Sequence, residues 1–263
     1  MVNSSRRTGT FFVRVASELG LRYYKITGGE PLLYEGIVGV VRSVRDHGGV
    51  PSITTNGYML KEYAGPLSNA GVDHLNVSLH SLRREVYAAL TGRDALDRIL
   101  DGIREALDYG IRTKLNYLVL RPNLPEVKDL LEFASSRGLD VNLIELIPLG
   151  VSGEAFERLH VELDGVVEYL ERASVRKDIE PFQNRPVYTL PSGSRVYVVK
   201  GYGNPRLCAG CTRIRVGPDG RLKLCMYRDD VYIDLGRAIR SRDGPGLQRA
   251  ILEAVKLREP YFK

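Results

Sequence analysis

The pattern that most limits this chain is an alternation of β-rich runs with apolar-periodic segments between residues 22 and 149. Tyr23 to Thr27, Ser52 to Thr55, His74 to Leu79, Arg112 to Leu120 and Val141 to Leu149 read as strands. A segment at 11–19, ended by Gly20, and others at 34–47, 60–69, 84–89, 94–109 and 125–137 carry helical spacing. Strand and helix in turn, repeating every 25 to 40 residues or so, are the mark of parallel βα units and an α/β fold. Each strand stops on a short polar loop: Gly-Gly-Glu-Pro, Asn-Gly, His-Ser, Arg-Pro-Asn, Pro-Leu-Gly. In parallel α/β barrels that rim is where chemistry is built.

The first of these loops is the most informative. Gly28 and Gly29 lack a Cβ, so the backbone there can take positive φ and bring its carbonyls close to a ligand. Pro31 forces Glu30 into extended backbone, leaving a carboxylate at the C-terminal end of a strand. Such a loop suits a cationic group such as an amino-acid ammonium. It lacks the following Lys or the GxGxxG spacing of a phosphate cradle, and taken alone it reads equally well as a plain turn.

Size and charge remove other classes. With 263 residues, 43% of them hydrophobic, the chain can bury a full core. No apolar stretch approaches the ~18 residues of a membrane span, and Met1 to Arg7 lacks the apolar centre of a signal peptide. A cytoplasmic address is expected. The net charge of +6 is spread through the chain without a block of one sign. No basic run interleaved with aromatics offers a groove for nucleic acid.

After Gly150 the texture changes, and the reading divides the chain into 1–150 and 151–263. Residues 159–173 look helical, and Val187 to Leu190 with Arg195 to Val199 form a hairpin across Pro191-Ser-Gly193. A second hairpin, Arg213 to Val216 with Leu222 to Cys225, turns on Gly217-Pro-Asp-Gly220, and a last helix runs over 245–258. The chain has three cysteines, Cys208, Cys211 and Cys225. An odd count with a CxxC and no secretion signal argues for reduced thiols that bind metal or do redox work. The second hairpin returns Cys225 opposite residue 212 or its neighbour, beside the other two. A zinc site would need a fourth ligand, for which distant His160 is the candidate; a 4Fe-4S cluster on three thiolates accounts for the count and leaves one iron open. Arg213 and Arg215, two apart on a strand, point the same way. They read as a phosphate clamp or as two solvated arginines.

The ordered set Lys25-Ile-Thr-Gly-Gly-Glu-Pro-Leu-Leu33, Thr54-Thr-Asn-Gly57, Asn76-Val-Ser-Leu79, Thr91-Gly-Arg-Asp94, Lys114-Leu-Asn116, Ile144-Glu-Leu-Ile-Pro148 and Cys208-Ala-Gly-Cys-Thr-Arg-Ile-Arg215 with Cys225 resembles the GTP 3',8-cyclases of molybdenum cofactor biosynthesis. These are radical S-adenosylmethionine enzymes, and the resemblance runs over essentially the whole chain. It implies an incomplete (β/α)6 partial TIM barrel over 1–150 and a C-terminal hairpin-and-helix region over 151–263 that carries an auxiliary cluster. It further implies that Gly29 and Ser78 contact S-adenosylmethionine, with Ile147 near its adenine. Lys25, Thr54, Lys114, Arg213, Ile214 and Arg215 would contact GTP, and Cys208, Cys211 and Cys225 would hold the auxiliary 4Fe-4S cluster. The implied reaction abstracts the ribose 3' hydrogen of GTP with a 5'-deoxyadenosyl radical and joins C3' to C8. The product, (8S)-3',8-cyclo-7,8-dihydroguanosine 5'-triphosphate, passes to a cyclic pyranopterin monophosphate synthase.

The chain also departs from the family. The CxxxCxxC that holds the cluster reducing S-adenosylmethionine is absent, since no cysteine precedes Cys208. The expectation is an N-terminally truncated cyclase without its first strand, unable to cleave S-adenosylmethionine, whose second 4Fe-4S cluster belongs to a full-length form. The edge of the strand at 22–27 is then left open, which favours association with a second copy. His80 stands where the family more often has Asp, Asn142 where it often has Arg, and Glu259-Pro-Tyr-Phe-Lys263 lacks the family's paired glycines. Two rival readings fit the same inventory: another radical S-adenosylmethionine enzyme with an auxiliary cluster, such as a peptide-modifying maturase, and a non-catalytic binder of nucleotide or iron-sulfur cluster.

Overall fold

The computed structural model describes residues 2–263, with side chains from residue 9 onward. The elements follow the alternation in the sequence. Helix α1 (Val2–Glu18) leads into β1 (Tyr23–Ile26), then α2 (Ile37–Asp46), β2 (Val50–Thr55), α3 (Leu60–Asn69) and β3 (His74–Ser78). Next come α4 (Arg84–Thr91), α5 (Leu96–Asp108), β4 (Arg112–Val119), α6 (Val127–Ser135) and β5 (Asp140–Glu145). The later part holds α7 (Gly153–Leu159), α8 (Asp164–Ala173), β6 (Arg176–Glu180), β7 (Arg185–Thr189) and β8 (Arg195–Val199). It ends with α9 (Pro205–Ala209), β9 (Arg215–Val216), β10 (Arg221–Lys223), β11 (Tyr232–Asp234), α10 (Gly236–Ser241) and α11 (Gly244–Lys256).

One eight-stranded sheet runs β1-β2-β3-β4-β5-β8-β7-β6. The first five strands and β8 pair in parallel, and β7 and β6 continue the sheet antiparallel. Strands β6, β7 and β8, over residues 176–199, therefore extend the same sheet rather than start a new one. A separate three-stranded sheet, β11-β10-β9, follows.

The two faces of the large sheet differ chemically. Parallel strands covered by helices on both faces read as continuous apolar runs, yet β4 alternates strictly between half-exposed Lys114, Asn116 and Leu118 and buried Leu115, Tyr117 and Val119. The buried set packs with Leu75, Val77, Val141 and Leu143 against the helices. Truncating one such leucine to alanine is expected to cost about 2–5 kcal/mol. The other face is polar, and register aligns it: Thr54 lies level with Asn76, Asn76 with Lys114, Asn116 with Asn142, and Asn142 with Tyr197.

A second core joins the two ends of the chain. Val15 and Ala16 of α1 are buried with Leu222, Leu224 and Leu235 and with Ile239, Leu247, Ile251 and Ala254 of α10 and α11. Asp243 caps α11, its Oδ1 accepting from Gly246 N–H at 2.9 Å.

The expectation of one helix over 159–173 needs correction. Helix α7, capped by Ser152 Oγ on Ala155 N–H, ends at Leu159, and His160 turns extended before α8 begins. His160, extended at the end of α7, stacks its ring on Phe156 with centroids 4.6 Å apart and sets its Nε2 3.1 Å from Glu145 Oε1, which ties this turn to the end of β5.

Candidate functional site

The loop after β1 is set by its glycines and its proline. Gly28 takes φ of +130°, which a side chain would resist, and Glu30 is extended at φ −121° as Pro31 demands. Gly29 has open space where a Cβ would stand. Glu30 is committed to the protein itself: its carboxylate accepts from Leu32 N–H at 3.0 Å, Thr55 Oγ1 at 2.6 Å and Asn56 N–H at 2.7 Å. It therefore locks the β1 loop to the β2 loop. Ser78 ends β3, and Ile147 follows β5, within 3.8 Å of the position a Cβ on Gly201 would take. Gly29, Ser78 and Ile147 thus share the C-terminal rim of the parallel strands.

Three of the sequence-derived cations meet on the polar face. Burial, then the charges of Arg213, Arg185 and Lys114, hold the Lys25 amine down to about 7. Lys25 is nonetheless exposed to water, since protein atoms can crowd around an amine and lower the surrounding dielectric without covering it. Lys114 is lowered to about 8, chiefly by burial, with Asp140 opposing and Arg185 adding. Arg213 is drawn down to about 10 by burial, Arg215 and Arg185, and so stays charged at neutral pH. Cations crowded together beside low-dielectric protein form a site that favours an anion. Ile214, between the two arginines, packs instead against the second core.

Polar atoms without partners lie on the same face. Thr54 Oγ1, Asn76 Nδ2, Asn142 Oδ1 and Arg185 Nε are buried and make no hydrogen bond within the protein. Buried polar groups are ordinarily satisfied, so these four stand ready for a polar ligand. Asn142 does donate to Asn116 Oδ1 at 2.7 Å. His80 is neutral in effect: burial lowers its pKa, and its Nδ1 accepts from Leu118 N–H of β4 at 3.3 Å. An imidazole here performs the acceptor role a carboxylate could fill.

The thiols lie beyond the cations. Cys208 on α9 is buried, Cys211 and Cys225 are half-buried, and all three are free. Leu222 pairs with Val216 and Lys223 with Arg215, and the same register carried on brings Cys225 level with Arg213. Burial together with Cys208 and Cys225 pushes the Tyr227 hydroxyl up to about 12, and the Cys211 charge bears on Arg213. Among the described residues no three His, Cys, Asp or Glu side chains are close enough to share one metal ion. The tail closes over this region: Phe262 lies edge-on to Tyr227 and Tyr202, centroids at 5.2 and 5.3 Å.

Sequence reasoning missed Arg185, Phe182 and Tyr197. Strand β6, Arg-Lys-Asp-Ile-Glu, is too charged to announce itself, and with β6 unseen the loop that carries Phe182 into β7 could not be placed. A cleft of about 640 Å³ along residues 200–206 shares no lining residue with the cation group.

Fold and site together define a radical S-adenosylmethionine protein: residues 12–134 match the Radical SAM superfamily, and residues 139–263 match Molybdenum Cofactor Synthesis C. A probable GTP 3',8-cyclase of Saccharolobus islandicus is 42% identical over 258 residues, covering 95% of this chain and 83% of the relative. One from Metallosphaera sedula is 41% identical over 259 residues, covering 95% and 81%. The chain belongs to the GTP 3',8-cyclase family, a family of radical S-adenosylmethionine lyases. Solved structures agree on the fold. Streptococcus suis SuiB bound to S-adenosylmethionine matches with a TM-score of 0.62 at 15% identity, over 88% of this chain and 55% of that one. Native anSMEcpe with bound AdoMet matches at 0.62 and 16% identity, over 95% and 73%. The expected partial barrel is therefore the fold of this chain. Among the described residues no helix is long and apolar enough to cross a membrane.

Proposed function

We propose that this chain is the cytoplasmic GTP 3',8-cyclase of molybdenum cofactor biosynthesis, taking GTP toward (8S)-3',8-cyclo-7,8-dihydroguanosine 5'-triphosphate for a cyclic pyranopterin monophosphate synthase. The observation that carries it is the meeting of Lys25, Lys114 and Arg213, from β1, β4 and the cysteine-bearing segment, on one polar face. With Arg215 they supply the charge a triphosphate requires. Thr54 Oγ1 offers an unpaired hydroxyl to the same ligand, and Ile214 holds the segment carrying both arginines against its core. Gly29, Ser78 and Ile147 on the rim are assigned to S-adenosylmethionine.

The donor chemistry at Cys208, Cys211 and Cys225, three free thiols, suits an auxiliary 4Fe-4S cluster. When bound, that cluster supplies an open iron to the nucleotide base. The protein's share is positioning: holding the triphosphate on its cations fixes the ribose and base relative to the rim. The division of labour follows the chain, with 1–150 supplying the first five parallel strands and 151–263 completing their sheet and bringing thiols and arginines. A second set of three cysteines does not occur in these 263 residues, so a cluster that reduces S-adenosylmethionine has no ligands here and no step is derived through it. In this reading these 263 residues supply the nucleotide-binding part of that reaction, and the cleavage of S-adenosylmethionine is not assigned to them.

Anaerobic reconstitution tests this. About four irons per chain and tighter binding of GTP than of guanosine are expected; zinc in place of iron, or equal affinities, would overturn it.

A further inference from the structure

The polar face holds a cation that neither the sequence motifs nor the reading above employs. Arg185 begins β7, and its side chain is only 11% exposed. Its Nη2 pairs with Glu180 at the end of β6. Its Nε, buried, has no hydrogen-bond partner in the protein. One carboxylate satisfies part of a five-donor fork and leaves the Nε–H unmet.

Two aromatic rings fix where this guanidinium stands. The Tyr197 ring has Lys114 Nζ at 3.3 Å from its centroid and the Arg185 guanidinium carbon at 5.5 Å. The Phe182 ring has Arg185 at 5.3 Å and Arg213 at 4.7 Å. Cation and ring therefore alternate, Lys114, Tyr197, Arg185, Phe182, Arg213, and Arg185 is the middle charge of the series. Each ring face offsets part of the cost of holding a cation away from water. It does so without the hydrogen-bond acceptor that a carboxylate would bring, so N–H groups stay unused.

We propose that Arg185 is a further anion-binding residue of this pocket, joining Lys114 and Arg213 into one continuous row that takes the polyphosphate oxygens of the substrate. The proposal rests on the nucleotide reading above and adds a residue to it. Glu180 acts as the resting partner: it neutralises Arg185 while the pocket is empty of anion, and the guanidinium meets phosphate through Nε–H and the Nη2 edge that Glu180 gives up. Burial of a lone arginine at this point would otherwise be costly, which accounts for a carboxylate standing within a group of cations. The same charge bears on Lys25, Lys114 and Arg213, so an anion bound at Arg185 relieves all three.

The test uses the whole chain, reconstituted anaerobically, titrated with GTP, guanosine and inorganic tripolyphosphate. Glu180→Gln removes the resting partner and should bind GTP and tripolyphosphate several-fold more tightly than the parent. Adding Arg185→Gln to it keeps a neutral pair of similar shape, protecting the fold. That double variant should bind GTP and tripolyphosphate about 10- to 100-fold more weakly than Glu180→Gln alone, with guanosine unchanged. Arg185→Lys should fall between, since it keeps the charge and loses the fork. Unchanged GTP and tripolyphosphate affinity in the double variant, or an equal loss for guanosine, overturns the proposal, because a purely structural residue would move every ligand together. Equal parental affinity for GTP and guanosine would instead overturn the nucleotide reading, before any variant is made. Tripolyphosphate would then still decide whether Arg185 binds anions.

Discussion

Lys114 Nζ lies 3.3 Å from the centre of the Tyr197 ring, although the two residues sit on β4 and β8 with β5 between them. An ammonium can shed part of its water against a ring face because the π-system is negative there. Tyr197 is 4% exposed, so its ring is a fixed wall. Replacing Tyr197 with Phe keeps that wall, and the urea midpoint should stay near the parent's. Tyr197→Leu should lower stability by about 0.5–2 kcal/mol and weaken GTP binding. Identical unfolding curves for Phe and Leu would show that the ring face contributes nothing.

Proton uptake should accompany binding. Lys25 near 7 and Lys114 near 8 lie below the ordinary lysine value of 10.5. Between those values and the ordinary one the unfolded chain holds protons that the folded chain has released. The stability of the ligand-free protein therefore rises with pH across that window. A polyphosphate reverses the preference by favouring charged amines, so its affinity should fall from pH 7 to 9. Calorimetry at pH 8 in buffers of different ionisation heat should reveal protons taken up with GTP. A binding heat independent of buffer would contradict this.

Arg213→Ala and Arg215→Ala should each weaken GTP binding by about 1.5–3 kcal/mol, the scale of a hydrogen bond to a charged group. Iron content measured beside the titration separates this from loss of the cysteine segment. If either variant keeps its iron and binds GTP as the parent does, that arginine does not touch the nucleotide.

Glu30→Ala strips three hydrogen bonds from the junction of two loops. Leaving Thr55 Oγ1 and two backbone N–H groups to find new partners should cost about 1–3 kcal/mol, measured by urea unfolding. A variant as stable as the parent would mean that solvent replaces the carboxylate there.

The edge of the large sheet invites contact. Tyr23 on β1 is 85% exposed, and among the described residues β1 pairs only with β2. Light scattering on the 263-residue chain should show self-association, reduced by Tyr23→Lys, since edge lysines discourage strand pairing. A monomeric parent would remove the argument.

The barrel strands were legible because their apolar runs and terminal loops recur at βα spacing, and all five expected strands appear with ends shifted by only a few residues. The thiol hairpin was legible through its turn, Gly217-Pro-Asp-Gly220, which sets the register beside Arg215. Glu30 shows the limit of a motif. A carboxylate after two glycines signals a site, but whether it faces ligand or loop depends on Thr55 and Asn56, 25 and 26 residues away. Arg185 was hidden for a related reason. Nothing local to it marks function, because its meaning comes from Tyr197 and Phe182, which only the antiparallel return of the sheet brings alongside.

Helix α1 gives the molecule a mechanical property. Its Val15 and Ala16 are gripped by α10 and α11, and only Leu19, Gly20, Leu21 and Arg22 separate it from the strand that carries Lys25. At the other end of that core, Ile214 is tethered between Arg213 and Arg215. The opposing jaws around the anion are thus riveted to one block, and their gap is set by a part of the protein that never meets the substrate. A cut in the loop between β5 and α7 should therefore leave the two pieces clasped, with the gap unaltered.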